Sequence, residues 1–275
     1  MTPAGQPSSA FQHVEDWARE YIRSTSLSYK IAPPPPPKLH REPGTPERWD
    51  APGRPRELIL MAPGERQPRG GTLLEPERRA RLFHSFWHHE LQAAELMCWA
   101  MLAFADAEPS FRKGLLGICL DEIRHMAMYQ AHIEALGYSI GAFPVRDWFW
   151  RRVPSCKVKQ SYVALMGMGL EAANLDHAPS FAKAFRDAGD EEGARIQERV
   201  GKEELAHVSF ATRWFKTWTG GCDFTTWSEL LPPPLSPWLM RADPMATEAR
   251  EQAGMTPAFL GELAAYIPSH NGRPG

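Results

Sequence analysis

A chain of 275 residues can bury a large apolar core without covalent staples. Its 33 acidic and 31 basic residues leave a formal charge of −2, which excludes a global electrostatic pull toward nucleic acid or an anionic membrane. The four cysteines (Cys98, Cys119, Cys156 and Cys222) form no Cys-x-x-Cys pair. The N-terminus lacks a basic start and an apolar run, and the greasiest stretch, around Leu96 to Ala105, is too short to cross a bilayer. These features predict a cytoplasmic protein with no membrane partner.

The 26 prolines gather in blocks outside a central stretch of helical periodicity, and they divide the chain into residues 1–71, 72–220 and 221–275. Phe11, Val14, Trp17, Ala18 and Tyr21 mark one face of a short helix over 10–24. Pro33 to Pro37 then form a polyproline II spacer, and 38–71 read as an extended arm rich in Arg and Pro. Pro76 opens the first long helix, with Phe83, Phe86, Trp87, Glu90, Ala94, Met97 and Met101 at three- and four-residue steps. A second follows the Asp106 to Pro109 turn, carries Leu115, Ile118, Glu122, His125, Tyr129 and Ile133, and closes at Gly137.

An aromatic crossover of about 18 residues leads to a third helix from about Ser155, carrying Tyr162, Leu165, Met168, Glu171 and Leu175, which Pro179 should kink or interrupt. After the Asp187–Asp190 turn, a fourth runs through Ile196, Val200, Glu204, His207 and Trp214 to Gly220. The expected fold is all-α: an up-down four-helix bundle over 72–220 with a long crossover between helices two and three. A short helix from Thr256 is expected in the C-terminal extension, which packs on the bundle.

The two halves of the bundle repeat one pattern. Glu90 precedes Glu122-x-x-His125 by 32 residues, and Glu171 precedes Glu204-x-x-His207 by 33. Glu and His three apart share a helix face, so both reach an ion on the bundle axis, with one glutamate added from each of the other two helices. Four carboxylates and two imidazoles suit iron or manganese, and the carboxylate charge offsets two divalent ions. Chance alone yields Glu-x-x-His pairs in a chain this rich in both residues, so the weight rests on the matched upstream glutamates and their apolar neighbours.

Flanking acids repeat as well. Glu95 follows Glu90 by five as Asp176 follows Glu171, and Asp121 and Glu203 directly precede Glu122 and Glu204. Glu95 competes with Glu90 as the ligand of the first helix, but five residues rotate a helix by about 140°, and the repeat favours Glu90. Asp121 and Glu203 are candidates to accept the free N–H of a ligand histidine, with a solvated acid as the alternative. Tyr129 is a candidate neighbour of the metal, with core packing as its default; His84, His88, His89 and His177 read as packing or surface histidines.

At these residues the chain resembles the ferritin-like superfamily, and within it a bacterial family of uncharacterised ferritin-like proteins. The resemblance runs through His88-His-Glu-Leu-Gln-Ala-Ala-Glu-Leu96, Asp121-Glu-Ile-Arg-His125, Gly169-Leu-Glu-Ala-Ala-Asn-Leu-Asp-His-Ala-Pro179 and Glu204-Leu-Ala-His207. It implies a carboxylate-bridged di-iron centre held by Glu90, Glu122, His125, Glu171, Glu204 and His207, with manganese acceptable at one or both positions. Family members often carry Asp-Glu where this chain has Glu203-Glu204.

The function expected is an oxidoreductase that activates O₂ or peroxide to oxidise or hydroxylate an organic substrate. No flavin, haem or iron–sulfur motif is present, so the electrons are expected from an external donor. Iron or peroxide handling without an organic substrate is the alternative, and a silent binding bundle a further one. A ferritin-like tRNA hydroxylase is a second analogy, with Arg54, Arg56, Arg66, Arg69, Arg78, Arg79 and Arg81 as phosphate contacts, but interleaved acids favour a solvated arm. The sequence leaves the assembly open, with a homodimer among the options.

Overall fold

The computed structural model describes residues 11–62, 65 and 72–268, so Arg66 and Arg69 lie outside the described residues. Ten α-helices are found among the described residues, with no strand; one isolated parallel bridge joins Leu60 and Val145. None of these helices is long and apolar enough to cross a membrane. The described chain divides into two compact units, the first drawn from the N-terminal segment with 83–133 and 137–151, the second from 72–82, 134–136 and 152–268.

In the first unit, α1 (Val14–Arg23) buries Val14, Trp17, Ala18, Tyr21 and Ile22, the stripe that its periodicity marks. Trp17 stacks on Tyr21 at 5.3 Å and donates its indole N–H to the carbonyl of Pro34 at 2.7 Å, which folds the proline segment back over the helix. A short α2 (Leu27–Ile31) follows, capped by Ser26. The helices α3 (Pro76–Ala103) and α4 (Pro109–Ala135) run antiparallel where both lie in this unit. Cys98 meets Cys119 near one end, with 3.5 Å between sulfurs, and Phe83 meets His132 near the other. The arm docks on the crossover as Met61 donates to Val145 and Val145 to Ile59, each at 2.9 Å.

In the second unit, a 3₁₀ turn at Val153–Ser155 precedes α5 (Lys159–Leu165), so the third helix starts later than its spacing predicts. A π-helical turn, Met166–Glu171, then joins α5 to α6 (Ala172–Asp187). α6 runs through Pro179 without the interruption considered there, and a break in α-helical register falls at the π turn instead. α6 continues because it packs closely on α7 (Glu191–Thr219): a Cβ added at Gly201 would lie 2.6 Å from that of Ala178, next to Pro179. α7 is capped by Asp190, whose carboxylate accepts from Gly193 N at 2.9 Å, and ends at Gly220 in the left-handed conformation that glycine adopts without strain.

The C-terminal extension holds α8 (Phe224–Glu229), a 3₁₀ turn at Pro237–Met240, α9 (Thr247–Gln252) and α10 (Pro257–Ala265). Thr256 caps the last of these, where the sequence places a helix start. Phe224, Trp227 and Phe259 form its aromatic centre.

Candidate metal centre

Each unit carries half of the predicted ligand set. On α3, Glu90 occupies the same face as Phe83, Trp87, Ala94 and Met97, all buried. On α4, the three-residue step brings His125 Nδ1 to 3.0 Å from Glu122 Oε2, and Glu90 Oε2 lies 4.0 Å from the same nitrogen. In the second unit, His207 Nδ1 is 2.9 Å from Glu204 Oε2 on α7. Glu171 closes the π turn, and the Asn174 amide donates to its Oε2 at 3.4 Å.

All six residues are buried, Glu122, His125 and Glu204 completely. Within the first unit Glu90, Glu122 and His125, and within the second Glu171, Glu204 and His207, each offer one ligand atom per residue, and the three atoms of each group lie within 4.8 Å of one another. Buried carboxylates in such number are costly without compensating positive charge, and hard oxygen with imidazole nitrogen is the donor chemistry of a divalent cation. These buried Glu and His groups could hold a metal ion.

Among the flanking acids, Asp121 pairs with Arg124 at 2.7 Å and Glu203 with Arg199 at 3.1 Å, both at partly exposed positions. Tyr129 is buried with its ring against Phe83 and Phe86. Among the histidines outside the set, His84 Nε2 accepts from Gly141 N at 2.8 Å, His88 Nε2 lies 3.0 Å from Asp147, and His89 stacks on Phe149.

Glu95 is fully buried and holds the N-terminal segment. Its carboxylate accepts from Lys30 Nζ at 2.7 Å, Arg54 Nη1 at 2.6 Å and the Trp150 indole at 2.7 Å. Arg54 continues to Asp147, so the residue weighed as a phosphate contact is turned inward to two acids. Burial works to raise the Glu95 pKa, but Arg54 and Lys30 outweigh it and hold the carboxyl below its ordinary range. Burial depresses Lys30, against the pull of Glu95. Asp176 does the equivalent work in the second unit, accepting from Arg250 Nε at 3.0 Å and Nη2 at 2.7 Å and from the backbone of Ala242 and Ala246.

Lys30, Trp150 and Arg250 were not singled out by the sequence reading.

A Haemophilus influenzae protein named "Uncharacterized protein" is 24% identical over 169 residues, which are 58% of this chain and 58% of the relative, so the chain spans less than two thirds of that relative's length. No solved structure matches the chain. A family model described as "Protein of unknown function (DUF455)" matches residues 6–261, a span that contains both halves of the ligand set and most of both extensions, and the chain belongs to that family.

Proposed function

We propose that α3, α4, the α5–α6 segment and α7 form a ferritin-like four-helix bundle whose six buried ligands hold two metal ions, iron by preference and manganese as a substitute, and that the chain is an oxidoreductase. The observation that carries this reading is that each unit gathers one Glu-x-x-His pair and one further glutamate into a buried group of three ligand atoms, Glu90, Glu122 and His125 in one and Glu171, Glu204 and His207 in the other. Four carboxylates neutralise two divalent cations, and one imidazole for each ion adds the intermediate donor that iron and manganese accept. Zinc would bind some of these residues but gives no reason for the excess of carboxylate.

Bound iron would supply redox chemistry toward dioxygen or peroxide, with the electrons coming from the organic substrate and from an external donor. The chain contributes the ligand positions and the exclusion of water, with both Glu-x-x-His pairs sealed in apolar helix faces. Handling of iron or peroxide without an organic substrate uses the same site, and the two activities separate in a turnover assay.

The test is metal analysis with ultraviolet-visible spectroscopy on protein from iron-replete cells, reduced and then exposed to O₂, alongside Glu122→Ala. About two irons per chain, with their absorption lost in the variant, support the reading. Absence of bound metal under both iron and manganese supplementation overturns it.

A further inference from the structure

The π turn that ends in Glu171 is held from outside the helix that contains it. A π turn is one residue wider than the α-helix around it, and it persists only where its surroundings favour it. Ala172 N bonds Gly167 O, five residues back, as the wider register requires. Gly167 lets the turn press on α7: a Cβ there would sit 2.0 Å from that of Ala211 and 4.0 Å from the His207 carbonyl. The turn bearing one ligand is thus packed against the helix turn bearing two others.

The C-terminal extension touches the turn and its two flanks. Where α5 passes into it, Trp227 donates its indole N–H to the Ala164 carbonyl at 3.0 Å. Midway, Met240 covers Gly169 so closely that a Cβ there would meet the Met240 sulfur at 2.7 Å. Arg250 Nη2 holds the Met240 carbonyl at 2.9 Å, and the same guanidinium grips Asp176, five residues beyond Glu171 on α6. The contacts close a ring: π turn, Met240, Arg250, Asp176, and along α6 back to Glu171.

We infer that the C-terminal extension is a positioning device for Glu171, with Trp227, Met240, Arg250 and Asp176 fixing the π register in which that carboxylate joins Glu204 and His207. A return to α-helical register across Met166–Glu171 turns one side of the segment by about 100° relative to the other, which takes Glu171 out of the set. The inference rests on the metal reading above and adds a division of labour. These four residues serve the ion at Glu171, Glu204 and His207, and leave the Glu90 and His125 side alone.

The experiment uses full-length protein titrated anaerobically with Mn(II). Bound ion is counted by equilibrium dialysis, and hydrogen exchange is followed over residues 160–176. Wild type should bind two ions. Arg250→Gln should keep one at wild-type affinity and weaken the other about 10- to 100-fold, the usual effect of losing a partner that orients a ligand. Faster exchange should be confined to the π turn and its flanks, with the far-ultraviolet circular dichroism unchanged. Trp227→Phe keeps an aromatic side chain but removes the donor to Ala164 together with part of the indole's volume; it should act in the same direction and serves if Arg250→Gln fails to fold. Two ions held at wild-type affinity in a folded variant, or equal weakening of both, overturn the inference and leave the metal reading intact. Wild type that binds neither Mn(II) nor Fe(II) overturns both.

Discussion

Glu95→Gln separates anchoring from ligation within one helix. The wild-type carboxylate faces Lys30 Nζ, Arg54 Nη1 and the Trp150 N–H at 2.6–2.7 Å, and Glu95 and Lys30 are fully buried. Glutamine keeps the volume and one acceptor oxygen, but it removes the charge that compensates Lys30 and turns a donor toward other donors. Removing one partner of a buried ion pair costs about 3–5 kcal/mol, or roughly 6–20 °C in melting temperature at roughly 2–4 °C per kcal/mol for a chain of this size. Arg54 retains Asp147, which places the expected loss toward the lower end. Differential scanning calorimetry gives the shift, and hydrogen exchange should locate the loosening in α1, α2 and the arm. Metal stoichiometry should stay at the wild-type value, whereas Glu90→Gln should lower it with little loss of stability in the metal-free protein. A Glu95→Gln protein that melts within about 2 °C of wild type yet loses metal would refute the assignment and make Glu95 the ligand.

Two further outcomes are expected. Gly167→Ala forces a methyl into the space occupied by Ala211, which should cost about 1–3 kcal/mol, read as a lower urea midpoint at unchanged slope. Stability should also fall in acid. Glu95 and Asp147 have folded pKa values held below their ordinary 4.5 and 3.8, so their contribution is complete above those values and is lost as pH falls through the lower, folded ones. The melting temperature should therefore drop steeply below about pH 4, and more gently in Glu95→Gln, which has lost one of the two groups.

The long helices were legible because their signals are local. Pro76 begins α3, Gly137 and Gly220 take positive φ after α4 and α7, and the three- and four-residue steps name the buried faces. The two Glu-x-x-His pairs were legible for the same reason, since a spacing of three on a helix fixes their geometry. The π turn was not, because Met166 to Glu171 keeps apolar spacing compatible with an ordinary helix. Its signal was the pair of glycines at 167 and 169, whose meaning depends on Ala211 and Met240. The roles of Glu95 and Asp176 were also hidden. Their arginines lie 41 and 74 residues away, and helix periodicity reveals that an acid is buried but not which base arrives to meet it.

The recurrence of a buried acid five residues after Glu90 and again after Glu171 constrains how such a chain can vary. Glu95 without Arg54 and Lys30, or Asp176 without Arg250, is a buried charge with no counterion, and Lys30 or Arg250 without its acid is equally stranded. Acid and base must therefore be gained or lost together. A relative that lacks the N-terminal segment should carry an uncharged residue at the position of Glu95, and one that lacks the C-terminal segment an uncharged residue at that of Asp176. The side chain at each of these positions thus reports whether the distant segment is present.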